Sequence, residues 1–475
     1  MERINMFSAW DFTMGSPNSI VAIIDFGTDW GHPDLGNGTD GYSNVDHANG
    51  WNYDTNNNNV ITTNPHGTKV TGVCGAKANN GRGIAGISGG NNAPGITIIP
   101  YVADVADHAA AAMYDAVGKG ARIINLSFET ASATSIISAI AYAKLNNAVV
   151  VAASGNANSS TVSFPASHAD VIAVGAVNTV SQRWSESSSR GSNYGANLNV
   201  VAPGVDILST TLYNDYILDT GTSLAAPQVT GLAALILSVR PDFTNIQVRN
   251  AIESTCVKLS GYTFATNPSY PNGTWNNQVG HGLINSYAAI NSVAPKIGGP
   301  DVIGASCQGV YTAPTGLPSG SAYVRWEVEP GITLLTGSTS SSCTVQRTAN
   351  VSDSVRSVVR YVFTYGGKTY SVGRGIIARI EPVFAGMREG PTSPLVLAAR
   401  VGYPIYFEAG LPSNERPLVQ EYHWELTAGG LVYHFDGELT TSSHTFMAPG
   451  TYPLRLRVRD GCGWSRWLDI YVEVM

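Results

Sequence analysis

The sequence predicts an α/β fold class: a parallel, three-layer sheet domain over residues 1–294, then two all-β sandwich modules over 295–381 and 382–475. Three observations predict it. Continuous apolar runs of strand length recur through the first part of the chain, as in strands covered on both faces. Helix-length segments with helical periodicity separate those runs, the alternation of a parallel sheet with crossover connections. Beyond Ala294-Pro295 the helical pattern stops, and short alternating segments with Gly, Pro and Ser turns continue to the end.

Taken in order, Ser19 to Asp25 (SIVAIID) is the first strand, and it ends in an acid. Open α/β sheets place their sites at the carboxyl ends of strands; taken alone, a strand-end Asp reads equally as a turn cap. His32-Pro33-Asp34-Leu35 and a Gly/Asn-rich loop through Asn59 follow. His66-Gly67-Thr68-Lys69-Val70-Thr71-Gly72-Val73 opens a helix of small residues, with His66 at its start facing a cleft. Ile96 to Val102 reads as a strand, Asp107 to Val117 as a helix and Ala121 to Ser127 as a buried strand. Ser135 to Asn146 is helical, and Ala148 to Ala153 is a strand running into Ser154-Gly155-Asn156. Val171 to Val177 and Leu198 to Ala202 are further strands. Gly221-Thr222-Ser223 then enters a buried helix through Leu232 to Leu237, which places Ser223 at a helix N-terminus. In the C-terminal part, Val324 to Val328 and Tyr422 to Leu426 read as equivalent strands of related modules, each with a Trp between two sheets.

Composition narrows the class of function. Only 13% of the 475 residues are charged, and net charge is −7 without a basic run, which excludes nucleic acid as a partner. No membrane-spanning segment is expected. Met1 to Trp10 lacks the positive patch and apolar run of a secretory signal. Of five cysteines, Cys74 and Cys256 fall on apolar helical patterns, Cys307 and Cys343 could pair within one module, and Cys462 has no evident partner.

Asp25, His66 and Ser223 occur in the order Asp…His…Ser, one of three unrelated orders in which the serine triad recurs. VAIIDFGTDWGHPDL, HGTKVTGV, ASGN and GTSLAAPQVTG together resemble the four signature blocks of the subtilases, the subtilisin-like serine proteases. SNYGANLNVVAPGVDILST and VIAVGAV are similar to the connecting blocks, and the resemblance runs from Ser8 to Val293. It implies a subtilisin-like fold and a triad in which Ser223 attacks, His66 transfers the proton and Asp25 orients the imidazole. It also implies that Asn156 donates to the oxyanion, supported by Thr222. Leu126-Ser127-Phe128-Glu129 and Ala153-Ser154-Gly155 resemble the edges between which the family holds an extended protein or peptide substrate. Ser127, Phe128, Glu129, Ala153, Gly155 and Thr222 are therefore the expected substrate-binding residues.

The resemblance implies no cofactor for the chemistry. It does imply a structural calcium site, at which Asp34 and Asn80 match two ligand positions. Calcium takes six to eight oxygens, the sequence supplies two such side chains, and an Asx-rich turn is the alternative. The C-terminal modules resemble PKD-like and immunoglobulin-like domains of secreted bacterial hydrolases. The expected protein is thus a monomeric endopeptidase, secreted or held at a bacterial cell surface, with no family-type pro-segment ahead of the domain. Four positions depart from the family pattern. Phe26 stands where Ser or Thr is usual, Glu129 where Gly is usual, and Lys69 and Thr71 replace common residues. Phe26 and Glu129 motivate the alternative of a weakly active or inactive binding or adhesion protein on the same scaffold. A glycoside hydrolase would need two opposed carboxylates, and Asp25 is the one acid well placed at a central strand end.

Overall fold

The computed structural model describes residues 1–39, 41–301, 303, 308–336, 341–348, 356–377, 383–388, 395–396, 404–410, 421–428, 431–437, 441–445, 447–460, 463–464 and 468–475. The chain divides into two compact units: Met1–Lys296 with Gly316–Tyr323 and Val362–Gly373, and Ile297–Thr315 with Val324–Tyr361 and Arg374–Met475.

The first unit is built on a seven-stranded sheet, parallel throughout. Its strands are β1 (Ile20–Asp25), β2 (Trp51–Asn52), β3 (Thr97–Val102), β4 (Ile123–Leu126), β5 (Val149–Ala153), β6 (Val171–Val177) and β7 (Leu198–Pro203). The spatial order is β2-β3-β1-β4-β5-β6-β7, so the chain turns back beside β1 before moving on to β4. That reversal is a topological switch point, where the loops at the strands' carboxyl ends open a crevice.

Helices cover both faces. α1 (His66–Gly75) packs on a long helix, α4 (Thr222–Val239), which lies against β4, β5, β6 and β7. α2 (Ala106–Gly118) and α3 (Thr134–Leu145) pack together against β1 and β5, and α5 (Asn245–Ser254) and α6 (Ser286–Val293) join α4. Double cover is why β4, β5 and β6 are buried at every position, as their uninterrupted apolar sequences require. Among the described residues, α4 alone has the length and apolar composition to cross a membrane, and 94% of that stretch is buried inside the protein. After β7 an antiparallel hairpin, β8 (Ile207–Thr210) and β9 (Tyr216–Asp219), leads into α4.

The second unit is all-β, as expected. Strands Gln308–Thr315 and Ile332–Thr336 both pair antiparallel with Ser342–Arg347. Glu421–Ala428 pairs antiparallel with Leu431–Gly437 and with Gly450–Asp460, which also pairs with Leu468–Val474. Trp326 and Trp424 are buried, and the Trp326 ring stands edge-on to Tyr361. Cys74, Cys256 and Cys343 are buried free thiols, and burial pushes Cys74 and Cys343 up to about 12. Cys307 and Cys462 lie outside the described residues, and so does the expected Cys307–Cys343 pairing.

Candidate active site

Asp25 closes β1, and its side chain is almost wholly buried. One carboxylate oxygen, Oδ1, accepts from His66 Nδ1 at 2.7 Å and from the Phe26 N–H at 2.8 Å. The other, Oδ2, is buried with no partner among the described residues. With a carboxylate at Nδ1, the imidazole carries its proton there and leaves Nε2 free to act as a base. His66 is the first residue of α1, and its own N–H donates to Asn64 Oδ1 at 3.0 Å.

The close approach of α1 to β1 depends on Gly67. A Cβ at that position would stand 2.0 Å from the Gly27 carbonyl oxygen and 3.2 Å from Asp25 Oδ1. Burial alone would lower the His66 pKa. The Asp25 charge and hydrogen bond outweigh it, and the net shift is upward. Lys69 opposes that shift and Asp219 adds to it. These two form an ion pair that joins α1 to the end of β9.

Ser223 sits in the first turn of α4, where backbone N–H groups have no intrahelical acceptor and the helix dipole favours negative charge. Asn156 follows β5 and turns toward that turn. Its Oδ1 accepts from both the N–H and the hydroxyl of Thr222, each at 2.9 Å. That pairing fixes the amide and leaves Nδ2 for another acceptor. A Cβ on Gly221 would stand 3.2 Å from Ser223 Oγ and 3.6 Å from Asn156 Nδ2, so the two groups flank one small space. No hydrogen bond joins His66 to Ser223 among the described residues. Such contacts commonly lengthen without substrate.

The two expected edge segments are both tied to the Ser223 turn. Ser127 Oγ donates to the Ser223 carbonyl oxygen at 2.9 Å, and the Gly155 N–H donates to Thr222 Oγ1 at 3.2 Å. Phe128 is half-buried, Glu129 exposed and Ala153 buried. Sequence reasoning missed what stands behind Ser127. Thr230 on α4 donates to Asn125 Oδ1 at 2.8 Å, and Asn125 Nδ2 donates to Ser127 Oγ at 2.9 Å, all of it buried. The available signal was one amide inside an otherwise apolar strand.

Asp34 and Asn80 do meet. Asn80 Nδ2 donates to Asp34 Oδ1 and the Ile84 N–H donates to Oδ2, both at 2.7 Å. Both carboxylate oxygens are thus satisfied by protein donors, and these two side chains alone fall short of the six to eight oxygens of a calcium shell. Asp54, in the other oxygen-rich loop, pairs with His108 Nδ1 at 2.7 Å.

A doubly covered parallel sheet, with these side chains gathered at its carboxyl edge, defines the subtilisin-like α/β class. The family model described as "Subtilase family" matches residues 16–282, more than half of the chain. The chain belongs to that family. It is 40% identical over 289 residues to a thermophilic serine proteinase of Bacillus sp. (strain AK1), an alignment covering 59% of this chain and 64% of that protein. Thermitase of Thermoactinomyces vulgaris is 34% identical over 269 residues, covering 55% of this chain and 88% of thermitase. Subtilisin amylosacchariticus of Bacillus subtilis subsp. amylosacchariticus is 36% identical over 285 residues, covering 57% of this chain and 65% of that protein. The chain thus spans just under two thirds of the length of two of these relatives.

Proposed function

We propose that the chain is a serine endopeptidase that hydrolyses peptide bonds of proteins through Asp25, His66 and Ser223. The observation that carries this is the Asp25–His66 hydrogen bond at the end of β1, with a serine in the first turn of α4, the helix on which α1 packs. Ser223 Oγ attacks the scissile carbonyl carbon while its proton passes to His66 Nε2. The oxyanion so formed is held by the Ser223 N–H and Asn156 Nδ2, preorganised because Thr222 fixes the other end of the amide. The C–N bond breaks, His66 returns the proton to the leaving amine, and the acyl group stays on Ser223. Water then attacks the ester with His66 as base, which releases the acid and restores Ser223. The substrate runs extended between 127–129 and 153–155.

The chemistry calls for no cofactor, and the Asp34–Asn80 pair is assigned to loop packing. In the same reading the chain acts as a monomer outside the cell or at its surface. Residues 1–294 form the peptidase domain, and 295–381 and 382–475 serve as PKD-like or immunoglobulin-like modules. The orphaned Oδ2 of Asp25 beside Phe26 favours a second reading, a binding or adhesion protein on the same scaffold. Labelling with a fluorophosphonate probe separates the two. Label on the folded chain and none on Ser223→Ala is the expected result, and an unlabelled folded chain selects the binding reading.

A further inference from the structure

We propose that Glu129 selects substrates carrying lysine or arginine immediately before the scissile bond, an inference that rests on the peptidase reading above. β4 and β5 lie side by side in register, Ile123 opposite Val149 and Leu126 opposite Ala152. Their continuations are pinned on either side of the Thr222–Ser223 turn by the Ser127 and Gly155 hydrogen bonds. A side chain leaving a carbonyl held at Ser223 therefore enters the space between these continuations. Glu129 lies two residues beyond Ser127, about 7 Å along an extended chain, a distance that a lysine or arginine stem can span.

The carboxylate faces into that space. Glu129 Oε2 accepts from the Ser163 hydroxyl at 2.6 Å, and Ser163 Oγ accepts from Asn193 Nδ2 at 3.0 Å. Oε2 also lies 3.0 Å from where a Cβ on Gly155 would stand. Gly155 has φ +101°, a conformation that favours glycine, and the same Cβ would stand 2.3 Å from Asn193 Nδ2 and 2.6 Å from Ser163 Oγ, so these polar groups and Glu129 together line the Gly155 side of that space. One oxygen is thereby held in place, while the other has no hydrogen bond and no cation pairs with the residue among the described residues. A fixed, solvent-connected anion with an open oxygen complements an ammonium or guanidinium group. An apolar side chain in the same place would cover the carboxylate without pairing it, and an acidic one would meet like charge.

The test compares peptide substrates that differ only at that position, with lysine, arginine, norleucine or glutamate, on the full chain and on Glu129→Gln and Glu129→Gly. Fluorophosphonate labelling of the unmodified chain is run alongside. The expected result is a kcat/KM for lysine and arginine about tenfold or more above that for norleucine, shrinking as salt is added and collapsing in both variants. A labelled chain that cleaves lysine and norleucine substrates alike overturns the role of Glu129 alone. So does a preference that survives in Glu129→Gln. An unlabelled chain overturns the peptidase reading and this inference with it.

Discussion

Phe26 stands edge-on to His66, with ring centroids 6.2 Å apart and ring planes at 86°. The residue that follows Asp25 in the chain thus touches the imidazole that Asp25 orients. A hydroxyl residue there would offer a hydrogen bond, whereas Phe26 offers packing. Asp25 Oδ1 consequently takes both the His66 and the Phe26 N–H bonds, and Oδ2 takes none among the described residues.

Phe26→Ser therefore brings a donor within reach of Oδ2. Spreading the carboxylate charge weakens its pull on the imidazolium, so the His66 pKa falls. The acid limb of the kcat/KM profile should move to lower pH relative to the unmodified chain. A limb that stays in place, in a variant that folds normally, would sink this account of Phe26.

In the unmodified chain the upward shift of His66 has two consequences of opposite sign. As a base His66 acts neutral, so activity rises with pH through a midpoint above the usual histidine value of about 6.5. The stability drawn from the charged imidazole beside Asp25 is complete below the unfolded value and is lost as pH rises through the folded one. Peptide cleavage measured from pH 5 to 10, beside thermal unfolding of Ser223→Ala to prevent autolysis, should show activity gained where this contribution is lost.

His281 carries the reverse sign. It is wholly buried behind Tyr270, and burial lowers its pKa despite Glu253 at 3.5 Å, with Lys258 and Arg249 also opposing protonation. A depressed histidine stabilises above its unfolded pKa, and that stability is lost as pH falls through the folded value. Tm should drop between pH 7 and pH 5, and His281→Gln should reduce the drop. An equal drop in both proteins would place the acid sensitivity elsewhere.

On the proposed oxyanion role of Asn156, Asn156→Ala is expected to lower kcat by about 10²–10³ with KM little changed, the magnitude for loss of one oxyanion-hole donor in subtilisin. Thr222→Val keeps the backbone N–H bond to Asn156 Oδ1 and removes the two bonds of the hydroxyl, to Asn156 Oδ1 and from the Gly155 N–H, so with the amide still held its effect should be smaller. A Thr222→Val loss as large as that of Asn156→Ala would mean that the hydroxyl does more than fix the amide.

The legible part of the fold was the part with a strong period or an uninterrupted apolar run. Val171–Val177 matches the expected strand end for end, and the strand expected from Ser19 begins at Ile20. The two-residue strand Trp51–Asn52 has no run to read. α5 carried a usable signal in Thr244 and Gln247, whose capping box is formed, and it passed unread. The Lys69–Asp219 pair joins residues 150 apart in sequence, so its partners become neighbours only when β9 is placed beside α1. Asn125 was hidden differently, as a polar residue whose partners lie on α4 and beyond the strand's end.

Asn125 therefore provides the sharpest test of the scaffold behind the site. Its side chain is wholly buried and bridges Thr230 to Ser127, which in turn holds the Ser223 carbonyl. Asn125→Ala strands the wholly buried Thr230 hydroxyl and removes the donor to Ser127 Oγ, which keeps its own bond to the Ser223 carbonyl, and should cost roughly 1–3 kcal/mol. The urea midpoint of Asn125→Ala in a Ser223→Ala background reads that cost. In the active background kcat should fall as well, because the Ser127 hydroxyl loses the donor that fixes it. Asn125→Asp keeps an acceptor for Thr230 but offers Ser127 no donor. If stability and kcat were both unmoved in Asn125→Ala, the Thr230–Asn125–Ser127 chain would be packing without consequence for Ser223.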